Sequence, residues 1–319
     1  MKTPTKPKRK TRTQFTLDQM IKGYFLAANA RHLSPNTIKD YDNTLRKFEA
    51  YIGEDKIFET ITRQHVEGFF TSCTNVTNKT LLNYHTGLSS LWTWAVREKI
   101  ADTHIIREIT PPKPEQREIL PFTEAEFKML LAAAPRSKAY ERPGKRKSDH
   151  ALASAERSRA ILLMLLDTGL RATELMEAKI YQVDQRNCRI QVMGKGALER
   201  SVPFSPRTAQ ALWRYLSTRP KAETNEPLFV TALNRPMDRG QLRKFLVFLG
   251  KRAGVKDVHP HRFRHTFAIE YLRNDGDPYT LQKILGHSTL DMVKKYLALA
   301  QVDLDKAHKR ASPVDNWAV

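Results

Sequence analysis

The chain is poor in the residues that stabilise small secreted folds and membrane spans. Cys73 and Cys188 are its only two cysteines in 319 residues. This excludes a disulfide framework and a cysteine-rich zinc site, and it favours a reducing compartment. The best apolar run, Ile161 to Leu166, is far shorter than the roughly 20 residues of a membrane span. No apolar signal core follows the basic N-terminus. We therefore expect a cytoplasmic protein without a membrane partner.

Motifs for nucleotide and metal chemistry are missing as well. The sequence has no Walker-type glycine loop and no acidic cluster of the kind used by two-metal nucleases. We expect no cofactor and no metal site. Acidic residues are the minority, since 34 Asp and Glu stand against 54 Lys and Arg and give a formal net charge of +20. This excess favours nucleic acid as partner over an anionic membrane, with mere solubility as the alternative.

Composition and periodicity divide the chain into five segments. Residues 1–14 carry basic residues and no acid, which predicts a disordered basic arm. This arm is either a solvated tail or a segment that contacts backbone phosphates of a nucleic acid. Residues 15–107 are predicted to form an all-helical domain, and 108–121 a proline-rich linker. Residues 122–299 form the second domain, and 300–319 a C-terminal tail.

The first domain has several signals of helix starts and helix faces. Thr16 to Gln19 matches a capping box, and Ser34 followed by Pro35 predicts a second start. The apolar residues between positions 81 and 95 repeat at the spacing of an amphipathic helix. We interpret the neighbouring Trp92 and Trp94 as core packing rather than as groups that stack on bases.

The second domain combines helices with one small sheet. Thr123 to Glu126 matches another capping box. Apolar residues alternate on both sides of Gly194-Lys195-Gly196, which predicts a β-hairpin. The basic segment 136–154 is either a passive surface loop or an additional nucleic-acid contact.

A group of histidines and arginines with one tyrosine stands out near the C-terminus. His261 and Arg264 are three residues apart and share a helix face. Tyr296 follows His287 by nine residues, past a Ser288–Asp291 segment typical of a capping box that opens a new helix. Cations gathered with a phenol suit nucleophilic attack on a phosphodiester.

These residues resemble the signature of the tyrosine recombinases, the family of phage and transposon integrases and Xer-type resolvases. The matching segments are Thr168–Leu175, Gly194–Arg200, His261–Ala268, Leu285–Ser288 and Tyr296. The resemblance runs from about Thr16 to the C-terminus. It implies a mainly α fold with a small β-sheet, in which an all-helical, SAM-like core-binding domain is joined to a mixed α+β catalytic domain. The two domains would form a C-shaped clamp around DNA.

The resemblance also implies catalytic roles. Arg171 and Arg264 would compensate the charge of the phosphate, because a guanidinium stays charged and grips phosphate bidentately. Lys195 would protonate the 5′-oxygen leaving group. Its competitors on the hairpin are Arg189 and Arg200, whose guanidinium groups hardly release a proton.

Four further residues complete this assignment. Tyr296 would be the nucleophile that forms a 3′-phosphotyrosyl bond. His261 would support proton transfer from the phenol or hold the phosphate, and His287 would donate a hydrogen bond to a phosphoryl oxygen. Glu174 is either a residue that orients active-site groups or an ordinary surface acid. We interpret His265 as structural.

The predicted function is site-specific recombination of double-stranded DNA through a Holliday junction, by a homotetramer on synapsed sites. An integrase of a mobile element is the favoured role, and an Xer-type chromosome-dimer resolvase is the alternative within the family. A type IB topoisomerase shares the tyrosine chemistry, and a DNA-binding regulator without catalysis is the alternative from another class. Accessory DNA-bending factors are candidate further partners, the nucleoid is the expected location, and the tail is expected to dock in trans.

Overall fold

The computed structural model describes residues 14–115, 120–135, 154–194, 199–300, 308 and 312–317. The chain divides into two compact units, Met1–Arg117 and Glu118–Val319. This division lies within the segment 108–121 that was predicted as the linker. The predicted arm up to residue 13, nearly all of the basic insert and Lys195 itself lie outside the described residues.

The first unit is helical, as the sequence predicts. Its elements are α1 (Leu17–Ala30), α2 (Pro35–Ile52), α3 (Arg63–Ser72), α4 (Asn78–Arg97) and the short 3-10 helices Phe58–Thr60 and Ile105–Glu108. The capping box at the start of α1 is confirmed, because the Thr16 hydroxyl accepts a hydrogen bond from the Gln19 amide and the Gln19 side chain accepts one from the Thr16 amide. Ser34 caps α2, with Pro35 in its first turn.

An aromatic core holds these helices together. Trp92 and Trp94 are only 2% and 8% exposed, so the interpretation as packing residues is confirmed. Phe48 lies edge-on to both Phe69 and Trp92, at centroid distances of 5.3 and 6.1 Å, a favourable arrangement for aromatic rings. Packing of this unit continues past residue 107, since Ile109 belongs to the same core.

The second unit surrounds one long buried helix with further helices and a small sheet. Its helices are α5 (Glu124–Ala133), α6 (Ala155–Thr168), α7 (Ala172–Glu177), α8 (Pro206–Ser217), α9 (Arg239–Ala253), α10 (Pro260–Arg273), α11 (Pro278–Leu285), α12 (Asp291–Ala300) and α13 (Pro313–Trp317). The buried helix is α6, which packs against both α8 and α10. The capping box at Thr123 is confirmed.

The sheet consists of β1 (Val183–Asp184), β2 (Arg189–Met193) and β3 (Glu199–Pro203), paired antiparallel in that order. The hairpin prediction is confirmed by the pairing of β2 with β3. Ile190 lies opposite Val202, and Val192 lies opposite Arg200. Ile190, Val192 and Val202 are buried, and cross-strand partners share a face of the sheet. Arg200 therefore lies on the inward face of the hairpin.

Two helix starts near the C-terminus differ from the sequence-based expectation. A capping box at Ser288 would begin a helix at the next residue, whereas α12 begins at Asp291. Pro313 was expected to end a helix, whereas in the structure it begins α13, because its fixed φ is compatible with the first position of a helix. Val314 and Trp317 on α13 are exposed.

Within the described ranges, no helix has both the length and the apolar character needed to cross a bilayer.

The packing of the first unit leads to a test of its core. Leu91 on α4 is fully buried, so Leu91→Ala removes apolar contacts and leaves a cavity. We expect the free energy of unfolding to fall by about 2–5 kcal/mol, measured by urea denaturation followed by circular dichroism. Leu26→Ala is the matched control, since Leu26 is 73% exposed. An equal loss in the two variants would contradict this description of the core.

Candidate active site

The first candidate arginine is placed by a tight turn after α6. Gly169 ends that helix in the left-handed region, with φ of 59°. A Cβ atom at this position would lie 2.5 Å from the Phe267 ring, so both backbone and space require glycine. Two residues later, Arg171 stands at the N-terminal boundary of α7. The turn thus fixes where the Arg171 side chain begins.

Arg264 lies on α10 and is buried. Its guanidinium donates hydrogen bonds to the carbonyl oxygens of Gly169 and Leu285, at 2.8 and 2.7 Å, and to Nε2 of His287 at 2.7 Å. Burial, together with the nearby charge of Arg171, lowers the pKa of Arg264 to about 10. The group therefore remains cationic at neutral pH, held in place for an anion.

A single carboxylate connects the arginines. Glu174 on α7 accepts a hydrogen bond from Nη1 of Arg171 at 2.7 Å, and its two oxygens accept from Arg200 at 3.0 and 2.8 Å. Burial raises the pKa of Glu174, but the hydrogen bonds from Arg200 and from the Arg171 amide outweigh this and hold the pKa below its ordinary value. Glu174 is buried, which rules out the alternative of an ordinary surface acid.

His287 follows the turn at the end of α11. A guanidinium has no acceptor, so Nε2 of His287 accepts the bond from Arg264, and we assign the ring proton to Nδ1. Among the described residues, Nδ1 has no hydrogen-bond partner although it is buried. Burial and the charges of Arg264 and Arg171 lower the pKa of His287 to about 4. The ring is neutral at pH 7, and its buried N–H still lacks an acceptor within the described residues.

His261 lies in the first turn of α10, one helical turn before Arg264, and remains open to solvent. Partial burial and the positive charges of Arg264 and Arg171 lower its pKa below the ordinary value of 6.5. His261 is therefore a neutral imidazole at pH 7, able to accept a proton.

Tyr296 on α12 contacts two of the histidines in this region. It is only 3% exposed. Its ring stacks on His287 at a centroid distance of 6.3 Å and meets the His265 ring edge-on at 5.3 Å. Burial raises the pKa of the Tyr296 phenol above its ordinary value, against the lowering effect of the Arg264 and Arg171 charges. The phenol is protonated at neutral pH and needs a base to become a nucleophile.

The structure thus brings six of the seven predicted site residues together, namely Arg171, Glu174, His261, Arg264, His287 and Tyr296. The seventh, Lys195, belongs to the 195–198 tip between β2 and β3, outside the described residues. Of its competitors, Arg189 is exposed on β2. Arg200 is bound to Glu174 and is not free to deliver a proton.

Two residues play a larger part than their sequence suggests. His265 was interpreted as structural, and its ring contacts Tyr296. Arg200 was considered only as a competitor of Lys195. The alternation of β3 contains a signal for Arg200, because a residue two positions from the buried Val202 lies on the same inward face. No comparable signal identifies His265, since its contact depends on how α10 and α12 pack.

In the part of the chain that the structure describes, no group of three His, Cys, Asp or Glu side chains could hold a metal ion. The charge of the site comes from guanidinium groups. A buried tyrosine beside arginines and neutral histidines is suited to attack on a phosphodiester.

Comparison with known proteins agrees with this chemistry. The profile of the phage integrase family matches residues 145–302, and that of the phage integrase N-terminal SAM-like domain matches residues 20–102. The chain belongs to the tyrosine recombinase family. It is a tyrosine-type site-specific recombinase with the mainly α fold, small sheet and helical N-terminal domain that the sequence predicts.

Curated tyrosine recombinases are similar over almost their whole length. Tyrosine recombinase XerC of Staphylococcus carnosus (strain TM300) is 29% identical over 292 residues, which cover 89% of this chain and 93% of the relative. Tyrosine recombinase XerD of Staphylococcus haemolyticus (strain JCSC1435) is 29% identical, with coverage of 88% and 94%.

Solved structures share the fold. The Tn1549 transposon integrase in complex with a circular intermediate DNA aligns with a TM-score of 0.71 at 18% identity, over 91% of this chain and 99% of the integrase. A lambda integrase dimer bound to a COC′ core site aligns with a TM-score of 0.69 at 16% identity, over 90% of this chain and 78% of that one.

The lowered histidine pKa values in this tyrosine recombinase lead to a prediction about stability. The pKa values of His265 and His287 fall from 6.5 to about 4 on folding, chiefly through burial. Between these values the unfolded chain binds more protons than the folded one. Stability is therefore fully present above pH 6.5 and is lost as the pH falls towards 4.

We expect His265→Asn to flatten this dependence, measured as the transition temperature of the full chain by calorimetry at several pH values. His32→Asn removes an exposed histidine of the first unit and serves as the control. A slope in His265→Asn as steep as in the parent would contradict the burial argument.

Proposed function

We propose that the chain cleaves and rejoins double-stranded DNA at specific sites, with Tyr296 as the nucleophile. The observation that carries the proposal is the position of Tyr296. Its buried ring stacks on His287, which accepts a hydrogen bond from Arg264, and its phenol lies within the field of the Arg264 and Arg171 charges. A phosphate that entered this site would meet the nucleophile and the two cations together. Proximity of this kind accounts for much of the rate of enzymatic group transfer.

In the cleavage step, Oη of Tyr296 forms a bond to phosphorus and the bond from phosphorus to the 5′-oxygen breaks. The phenol proton passes to His261, which is neutral at pH 7, and Lys195 protonates the leaving 5′-oxygen. Arg171 and Arg264 neutralise the non-bridging oxygens, and Nδ1–H of His287 donates to one of them. A free 5′-hydroxyl later attacks the phosphotyrosyl bond and restores the phosphodiester, so no energy source is consumed.

The remainder of the proposal concerns assembly and biological role. Two copies on each of two sites would form a homotetramer that exchanges strands through a Holliday junction, with accessory DNA-bending factors as further partners. The cytoplasm and its nucleoid are the proposed location. We retain an integrase of a mobile element as the role, because of the basic insert and the tail. The names of the curated relatives favour the Xer-type alternative.

The nucleophile can be tested directly. Tyr296→Phe removes only the reacting oxygen, so covalent attachment to DNA should disappear while DNA binding stays nearly intact. A nicked suicide substrate and a denaturing gel detect the covalent product. Tyr279→Phe is the matched control, because Tyr279 is an exposed tyrosine of α11, and it should retain attachment. A protein–DNA band that survives in Tyr296→Phe would refute the assignment.

The tail is the proposed contact between copies. Val314 and Trp317 are apolar and exposed, at 61% and 76%, and a tryptophan buried by a partner is often worth about 2 kcal/mol or more. We expect Trp317→Ala to reduce cooperative binding on a full site and to leave binding to a half-site unchanged, in gel-shift titrations. Trp213→Ala, at a second exposed tryptophan, is the control. Unchanged cooperativity in Trp317→Ala would mean that the tail packs on its own copy.

A further inference from the structure

Arg200 connects three segments of the second unit that are distant in sequence. From strand β3, its Nε donates a hydrogen bond to the carbonyl oxygen of Ile284 in α11 at 2.8 Å. Its two terminal nitrogens donate to the two carboxylate oxygens of Glu174 on α7. The hairpin, the helix α7 and the turn before His287 are thus held by one side chain.

The end of α11 is where these contacts meet the candidate catalytic arginines. Three consecutive carbonyl oxygens each accept a hydrogen bond from a different arginine. Ile284 accepts from Arg200, Leu285 from Arg264 and Gly286 from Arg171. The last carbonyls of a helix have no partner within the helix and carry its negative dipole, so three guanidinium groups are well suited to cap them.

Close packing between Gly286 and Arg200 leaves little room for either residue to move. Gly286 has φ of 64°, and a Cβ atom added to it would lie 2.9 Å from Nη1 of Arg200 and 3.0 Å from its Cζ. The Arg200 guanidinium therefore lies directly against the backbone of the turn that leads to His287. A displacement of Arg200 would remove one of the three arginine contacts at the end of α11 and both of its hydrogen bonds to Glu174.

Arg200 itself is poorly placed to hold a phosphate. Its side chain is 13% exposed and that of Glu174 is 5% exposed, and the bidentate bond to the carboxylate occupies the fork that would otherwise bind an anion. Arg200 can therefore influence the reaction only through the groups that it holds, which are Glu174 and the turn before His287.

We propose that Arg200 is a positioning residue for strand cleavage, one that fixes Arg171, through Glu174, and the His287 turn in the arrangement that receives the scissile phosphate. The proposal rests on the proposed function. Misplacement of catalytic groups by about 1 Å can lower a rate about 10²-fold, so the loss of Arg200 should affect the rate of cleavage far more than the affinity for DNA.

Two variants separate geometry from charge and from folding. Arg200→Gln removes the charge, and Arg200→Lys keeps a charge beside Glu174 but cannot bind both carboxylate oxygens and the Ile284 carbonyl at once. Both should lower the single-turnover cleavage rate of a suicide substrate about 10²-fold and leave half-site affinity unchanged. Arg273→Gln is the matched control, because Arg273 forms an exposed ion pair with Glu270 in the same unit.

A second substrate distinguishes positioning from a general loss of stability. A methylphosphonate at the scissile position lacks one negatively charged oxygen, so it depends less on correctly placed arginines. If Arg200 positions Arg171, the defect of both variants should shrink about tenfold or more on this substrate. An equal defect on phosphate and methylphosphonate, or no defect on either, would overturn the proposal.

Hydrogen exchange of the DNA-free chain gives a readout that does not depend on activity. The amide of His287 donates to the carbonyl oxygen of Gln282, and we expect Arg200→Lys to accelerate exchange in residues 278–290 while exchange in α1–α4 stays as in the parent. Unchanged exchange in residues 278–290 of Arg200→Lys would also overturn the proposal. A parent chain that forms no covalent complex with DNA, beside an Arg200→Lys variant with faster exchange, would locate the failure in the proposed function instead.

Discussion

The C-terminal end of α11 is the feature on which the geometry of the candidate active site depends. Its last carbonyl groups need hydrogen-bond donors, and they receive them from arginines that come from β3, α10 and the start of α7. Capping a helix end and gathering positive charge are therefore one and the same interaction. Each such cation contributes typically 0.3–1 kcal/mol, and up to about 2 kcal/mol where it is partly buried.

The site gathers more positive charge than it neutralises internally. Arg171 and Arg200 share the carboxylate of Glu174, whereas Arg264 has only carbonyl and imidazole acceptors. Removing a guanidinium from water without a counter-ion is unfavourable, which is why burial lowers the pKa of Arg264. The same arrangement is complementary to an anion with several oxygens. Burial of the Arg264 guanidinium lowers the stability of the fold, but it preorganises the site for a phosphate.

Much of the fold could be predicted from local sequence. The capping boxes at Thr16 and Thr123 and the alternation on both sides of the Gly194–Gly196 turn depend on interactions between residues close in the chain. The start of α12 was placed too early, since the helix begins at Asp291 and not directly after Ser288. Local signals predict which elements form better than they predict where each one begins.

The grouping of the candidate site residues was predictable for a different reason. Arg171, His261, Arg264, His287 and Tyr296 are recognised through a family resemblance, because no periodicity places residues so far apart beside one another. The importance of Arg200 and His265 depends on tertiary contacts between β3, α11, α10 and α12. A single sequence contains no measure of such contacts, so both residues looked secondary.

The close approach at Gly286 links two positions that are 86 residues apart in the chain. A side chain at 286 would need the space that the Arg200 guanidinium occupies, and a shorter residue at 200 would leave that space empty. Neither position is free to change while the other stays as it is. In this chain, Gly286 and Arg200 can be substituted only together. A redesign of the β2–β3 hairpin therefore has to include the turn before His287.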